Sequence, residues 1–182
     1  TDETKAGTVT IVLNGATIKP STPGAAIGVA EKSVKGTNVT IMLSEGSINE
    51  VLGYNNAGIN NLGRELKIVG NGTLNATGGK DSAGIGGGRD GNGSNITISG
   101  NANVKAEGGY GGTGIGGGYH GNGSNITISG NSTINSNGGF SSGAGIGGGS
   151  DGNGSNITIT DNSTVNAIGA PIGGAGIGGG YN

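Results

Sequence analysis

Short runs in which apolar and polar residues alternate recur along the chain at a near-constant interval. The clearest are Ile96-Thr97-Ile98, Ile126-Thr127-Ile128 and Ile157-Thr158-Ile159, each preceded by Gly-Asn-Gly-Ser-Asn. Alternation with a period of two, bounded by Gly and Asn, predicts a β-strand with one buried face. A second set follows six residues on, at Val104-Lys105-Ala106, Ile134-Asn135-Ser136 and Val165-Asn166-Ala167. A third is the single Ile of Gly-Ile-Gly-Gly-Gly, at Gly84–Gly88, Gly114–Gly118, Gly145–Gly149 and Gly176–Gly180. No 3.6-residue period is sustained anywhere. Interior glycines would penalise a helix by roughly 1 kcal/mol each.

The same frame runs through the first half in looser form, as Val9-Thr10-Ile11, Val39-Thr40-Ile41 and Leu66-Lys67-Ile68. The last Ile of this segment is residue 11, 41, 68, 98, 128 and 159, in steps of 30, 27, 30, 30 and 31. A fixed period of this size is the mark of a solenoid, in which each repeat buries its apolar face only against its neighbours. We therefore expect an all-β, single-domain parallel β-helix over residues 1–182, with about six turns of ~30 residues and three short strands per turn. Residues 1–83 are the degenerate turns and residues 84–182 the near-identical ones.

The expected inward columns are Val9, Val39, Leu66, Ile96, Ile126 and Ile157, then Ile11, Ile41, Ile68, Ile98, Ile128 and Ile159. A third is Ile18, Ile48, Leu74, Val104, Ile134 and Val165, and a fourth, of small residues, is Ala76, Ala106, Ser136 and Ala167. The Gly-flanked Ile supplies a fifth, with Ile27 and Ile59 aligned to Ile85. Asn101, Asn131 and Asn162 align at a corner, where a stacked Asn ladder is expected and Asn tolerates left-handed backbone.

The period changes how composition is read. Gly fills 47 of 182 positions, a proportion that without a period would mean low complexity. Cys is absent, so there is neither a disulfide framework nor a Cys-ligated metal. A net charge of −2 excludes a basic nucleic-acid footprint. No apolar run reaches 18 residues, so no membrane insertion is expected. The last residues, Gly180-Tyr181-Asn182, fall one third of the way into a repeat. This suggests a piece of a longer chain, or an end that associates end to end with a second copy.

The Gly-Ile-Gly-Gly-Gly … Gly-Ser-Asn-Ile-Thr-Ile-Ser-Gly-Asn pattern resembles the Gly-rich right-handed β-helices of bacterial surface proteins. The close match covers residues 84–182. The resemblance implies a right-handed coil and an extracellular, cell-surface setting. Some members of that group are described as carbohydrate-binding, which makes an adhesin-like role the functional expectation.

Candidate chemistry is sparse. A glycan-cleaving enzyme needs clustered carboxylates or a carboxylate–base set. The later repeats hold only Asp90, Glu107, Asp151 and Asp161 with Arg89 and Lys105, so no enzyme is expected. Asp90-Gly91-Asn92-Gly93-Ser94 and Asp151-Gly152-Asn153-Gly154-Ser155 space oxygen donors as an EF-hand loop begins. That makes calcium the one candidate cofactor, at Asp90, Asn92, Asp151 and Asn153. The loops lack the later glycine and glutamate, and His120 takes the Asp position between them, so a Gly-Asn turn explains them as well.

The Ile-Thr-Ile strand projects Asn95 and Thr97, Asn125 and Thr127, and Asn156 and Thr158 outward. Such a polar grid resembles the threonine ranks of ice-binding solenoids, although Lys67 interrupts it. The aromatics supply the leading candidate. Tyr110 and Phe140 follow the Gly-Gly after the Val-Lys-Ala-type strand, and Tyr119 and Tyr181 follow Gly-Ile-Gly-Gly-Gly, all at expected corners with His120 alongside. They mark a ridge to contact polysaccharide or a host-surface glycan. A structural stalk without a ligand is the competing expectation.

Overall fold

The computed structural model of the chain describes residues 7–29 and 37–181. The first rung is β1 (Thr8–Leu13), β2 (Thr17–Ile18) and β3 (Ile27–Gly28), and the second is β4 (Asn38–Leu43), β5 (Ile48–Leu52) and β6 (Ile59–Asn60). The third is β7 (Leu66–Gly70), β8 (Thr73–Thr77) and β9 (Ile85–Gly86), and the fourth is β10 (Gly93–Ile98), β11 (Asn103–Glu107) and β12 (Ile115–Gly116). The fifth is β13 (Gly123–Ile128), β14 (Thr133–Asn137) and β15 (Ile146–Gly147), and the sixth is β16 (Gly154–Ile159), β17 (Thr164–Ile168) and β18 (Ile177–Gly178). Every third strand pairs in parallel, giving three six-stranded sheets in the orders β1-β4-β7-β10-β13-β16, β2-β5-β8-β11-β14-β17 and β3-β6-β9-β12-β15-β18. The protein is a parallel β-solenoid, with about 24 Å between its first and last rungs at the usual strand spacing. The described residues contain no helix, and hence none long and apolar enough to cross a membrane.

The core is a set of like-on-like columns. Val39, Leu66, Ile96 and Ile126 stack in register, as do Ile41, Ile68, Ile98 and Ile128 beside them. The Gly-flanked column runs Ile27, Ile59, Ile85, Ile115, Ile146 and Ile177 as expected. The inward apolar side chains of the middle rungs, from Ile68 to Ile128, are sealed from solvent. Parallel strands buried this way gain from identical neighbours above and below, because each turn supplies the packing that the next one lacks.

One expected column is wrong at its lower end. Ile48 does not stack on Leu74. It pairs with Thr73 on the outer face and is 68% exposed, while Asn49 takes the inward place beside Leu74 with no exposure. A slip of one residue flips every side chain of a strand. Turning Ile48 inward would carry Glu50 inward with it, and a buried carboxylate is far more costly than a buried, satisfied amide. Asn49 is satisfied: its Oδ1 accepts from the Ala16 N–H at 3.0 Å, and its Nδ2 donates to Ser47 Oγ at 2.9 Å and the Thr73 carbonyl at 3.1 Å. Ile18 shifts as well and stacks on Val51, at the base of the small column Ala76, Ala106, Ser136 and Ala167. In that column the Ser136 hydroxyl donates to the Gly145 carbonyl at 2.7 Å.

The corner ladder forms, with Asn101 donating to Asn71, Asn131 to Asn101 and Asn162 to Asn131 at 3.1, 3.2 and 3.3 Å. The left-handed residue is not the Asn, however. It is the residue before it, Gly100 (φ 79°), Gly130 (φ 72°) or Asp161 (φ 60°). This leaves each Asn free to point along the stack.

Candidate functional site

The ridge arises from how the narrowest sheet is closed. Its strands hold two residues each, so the segments before and after them return side by side. The N–H of Thr113 donates to the Gly117 carbonyl at 3.1 Å, and Ala83 to Gly87 and Ala144 to Gly148 do the same at 2.9 and 3.0 Å. Such a return needs glycine. Gly116 has φ 134°, and a Cβ there would lie 2.1 Å from the Gly147 carbonyl oxygen of the next rung. The two flanking corners are then stitched together across rungs: Tyr119 N–H to Asp81 O at 2.9 Å, Ser150 N–H to Gly111 O at 2.9 Å, and Tyr181 N–H to Ser142 O at 3.1 Å.

This stitching brings the sequence-predicted aromatics together. Tyr110 and Phe140 sit one rung apart with ring centroids 6.4 Å apart and planes at 29°, within the range of favourable stacking. They are 54% and 65% exposed. The half-buried Tyr119 ring lies against Gly111, where a Cβ would meet it at 2.1 Å, and its centroid is 3.9 Å from that of His120. Tyr181 lies in the same way on Gly173. Among the described residues, no hydrogen bond holds the hydroxyls of Tyr110, Tyr119 or Tyr181.

Beside the rings runs a column of Asp90, His120 and Asp151, all in left-handed backbone (φ 58°, 59° and 59°) and joined by backbone bonds from Asp90 to Tyr119 and from His120 to Ser150. His120 Nδ1 is 3.2 Å from Asp90 Oδ1, and Nε2 is 3.0 Å from Asp151 Oδ2. A neutral imidazole can donate to one of these oxygens, whereas the imidazolium donates to both. At the lower end Arg89 Nε lies 3.9 Å from Asp81 and 3.8 Å from Asp90.

Of the oxygens expected for calcium, that of Asn92 is engaged between rungs. Asn92 Oδ1 accepts the Asn122 N–H at 2.8 Å, and Asn122 Oδ1 accepts that of Asn153 at 2.8 Å. Asp90 and Asp151 face His120. Among the described residues, no group of three or more His, Cys, Asp or Glu is placed to hold a metal ion.

The polar grid is also altered. Asn95, Asn125 and Asn156 have φ of 58°, 52° and 50°, and they drop out of the strand pairing. Their side chains form a second ladder, with Asn125 donating to Asn95 and Asn156 to Asn125 at 3.1 Å each. Beside it runs the column Thr10, Thr40, Lys67, Thr97, Thr127 and Thr158, with a lysine at its third place.

Two parts of the ridge escaped the sequence reading. Tyr54, 47% exposed, opens the same corner at the second rung, beside Asn55, whose backbone lies against Gly79. The Asp81–Arg89–Asp90 cluster was not grouped, because its members come from both sides of the two-residue strand. The signal available was that Lys80 and Arg89 occupy the repeat positions of Tyr110 and Tyr119.

A family model described as a beta helix repeat matches residues 66–89, 96–119, 126–150 and 157–181, just over half of the chain. No curated protein and no solved structure matches it.

Proposed function

The chain belongs to the beta helix repeat family, and from that premise we propose that it is a non-catalytic module of a bacterial surface protein, holding polysaccharide or host glycan along its aromatic ridge. The observation that carries this reading is the convergence of Tyr110, Tyr119, Phe140 and Tyr181 on one ridge, in a chain with only five Tyr and Phe residues. Exposed rings offer a flat apolar face to sugar C–H groups, and neighbouring polar groups fix orientation through hydroxyls. Here those neighbours are the three unpartnered tyrosine hydroxyls and the Asp90 and Asp151 carboxylates.

The non-catalytic part rests on the same column. A glycosidase keeps two carboxylates on either side of an open gap that receives the scissile bond. Between Asp90 and Asp151 that gap is filled by the His120 ring, which engages both. The polar, weakly charged surface suits an extracellular module.

The test is a depletion assay against a panel of soluble and insoluble polysaccharides, with the triple variant Tyr110→Ala, Tyr119→Ala, Phe140→Ala as control. The expected result is binding by the native chain that the variant loses, with β-sheet circular dichroism retained. A variant that binds as the native chain does, or a native chain that binds nothing on the panel, contradicts the reading.

A further inference from the structure

Resting on that reading, we infer that the ligand of the ridge is an uncharged, β-1,4-linked polysaccharide of gluco configuration, extended parallel to the rod axis and held by ring faces rather than by ion pairs. The first ground is the distribution of charge. Beyond Lys105 the sequence has no Lys or Arg to its end, so the stretch holding Tyr110, Tyr119, Phe140 and Tyr181 has no such cation of its own. Its one histidine has both ring nitrogens on carboxylates. The nearest guanidinium, Arg89, lies between Asp81 and Asp90. A polyanion laid on Tyr110, Phe140 and Tyr181 would meet a single lysine, Lys80 at the repeat position below Tyr110, and it would approach Asp90 and Asp151 to within a screening length of about 8 Å. Like charges placed together select against such a partner.

The second ground is direction. The rings are stacked along the axis, not across it: Tyr110 and Phe140 are one rung apart, and Tyr119 and Tyr181 hold the same repeat position two rungs apart. Two rungs are about 9.6 Å, close to the advance of two sugars in an extended β-1,4 chain. In the gluco configuration every substituent is equatorial, so the chain is a ribbon with apolar C–H faces. That is the shape a row of rings can grip at successive units, while hydroxyls at the ribbon edge reach the free tyrosine hydroxyls.

The experiment is calorimetric titration of the full chain with cellohexaose and chitohexaose, with polygalacturonate and alginate oligomers as acidic probes, and with an α-linked glucan oligomer of equal length. Each is run at low and high salt. We expect binding of an uncharged β-linked oligomer, changing less than about twofold with salt. Tyr110→Ala with Phe140→Ala should weaken it roughly tenfold or more, with an unchanged melting curve. Binding of the acidic oligomers in preference, or of the α-linked glucan equally well, overturns this inference but leaves a glycan-binding ridge. Binding of none of these probes, or of others from the wider panel, overturns the proposed function itself. If the double variant loses its fold, Phe140→Leu, which keeps the bulk and removes the ring, carries the comparison.

Discussion

The lower rungs and the upper repeats share one backbone but use it differently. From Leu66 upward the columns are nearly uniform, the step is 30 or 31 residues, and the surface carries Asn ladders and the aromatic ridge. Below it the step shrinks to 27 between Ile41 and Ile68, an amide sits in the core at Asn49, and Asn61 Oδ1 is buried without a partner. Both regions keep their inward columns. The fold therefore requires inward apolar character in register, and identity between rungs is needed only where side chains must bond their own copies. The Asn125 amide continues the ladder because Asn95 offers its Oδ1 one rung below. Ile41 can stack on Ile68 across an irregular step because dispersion has no direction.

The largest expected effect tests whether the two regions are one solenoid. Ile115→Ala in the regular half and Ile59→Ala in the irregular half remove equally enclosed side chains, at 0% and 1% exposure. Each should cost about 2–5 kcal/mol in urea unfolding. A tolerated Ile59→Ala would break the equivalence.

The next sharpens the register. Asn49→Ala should cost about 1–3 kcal/mol by leaving buried polar groups without partners, while Ile48→Ala should stay within about 0.5 kcal/mol as a surface change. The opposite order would restore the column in which Ile48 points inward.

The smallest effect concerns the exposed pair of Lys105 and Glu107. The Glu107 carboxylate accepts a hydrogen bond from Lys105 at 2.8 Å, and that bond, with the attraction of the charge, raises the ammonium pKa above 10.5. A raised folded-state pKa stabilises below the unfolded value and is lost as pH climbs through the folded one. Any contribution thus disappears only above pH 10.5. Lys105→Ala should leave the melting temperature unchanged near neutrality, as expected for an exposed pair.

The architecture was legible because a period of two inside a period of 30 admits few other structures, and all five repeat steps could be read from one Ile. The failure at Ile48 was local. In Ile48-Asn49-Glu50-Val51 the most apolar residue lies on the wrong phase, and only the cost of burying Glu50 decides between the phases. The aromatic corners were legible as repeat positions, yet their convergence was not. It depends on the two-residue strand closing on itself, which brings Gly111 against Tyr119 and joins Gly111 to Ser150. The stitching of the loops was likewise hidden, since a sequence displays Asn92 but not that its Oδ1 accepts the Asn122 N–H of the next rung.

The most direct measurement of the central claim is backbone and aromatic NMR of the labelled chain during titration with cellohexaose and chitohexaose. Shift changes should concentrate on Tyr110, Tyr119, His120, Phe140 and Tyr181 and on the glycines beneath them, with the Thr97–Thr127–Thr158 column silent. Changes centred on that threonine column, or spectra unmoved at saturating oligosaccharide, would contradict the assignment of the ridge as the binding surface.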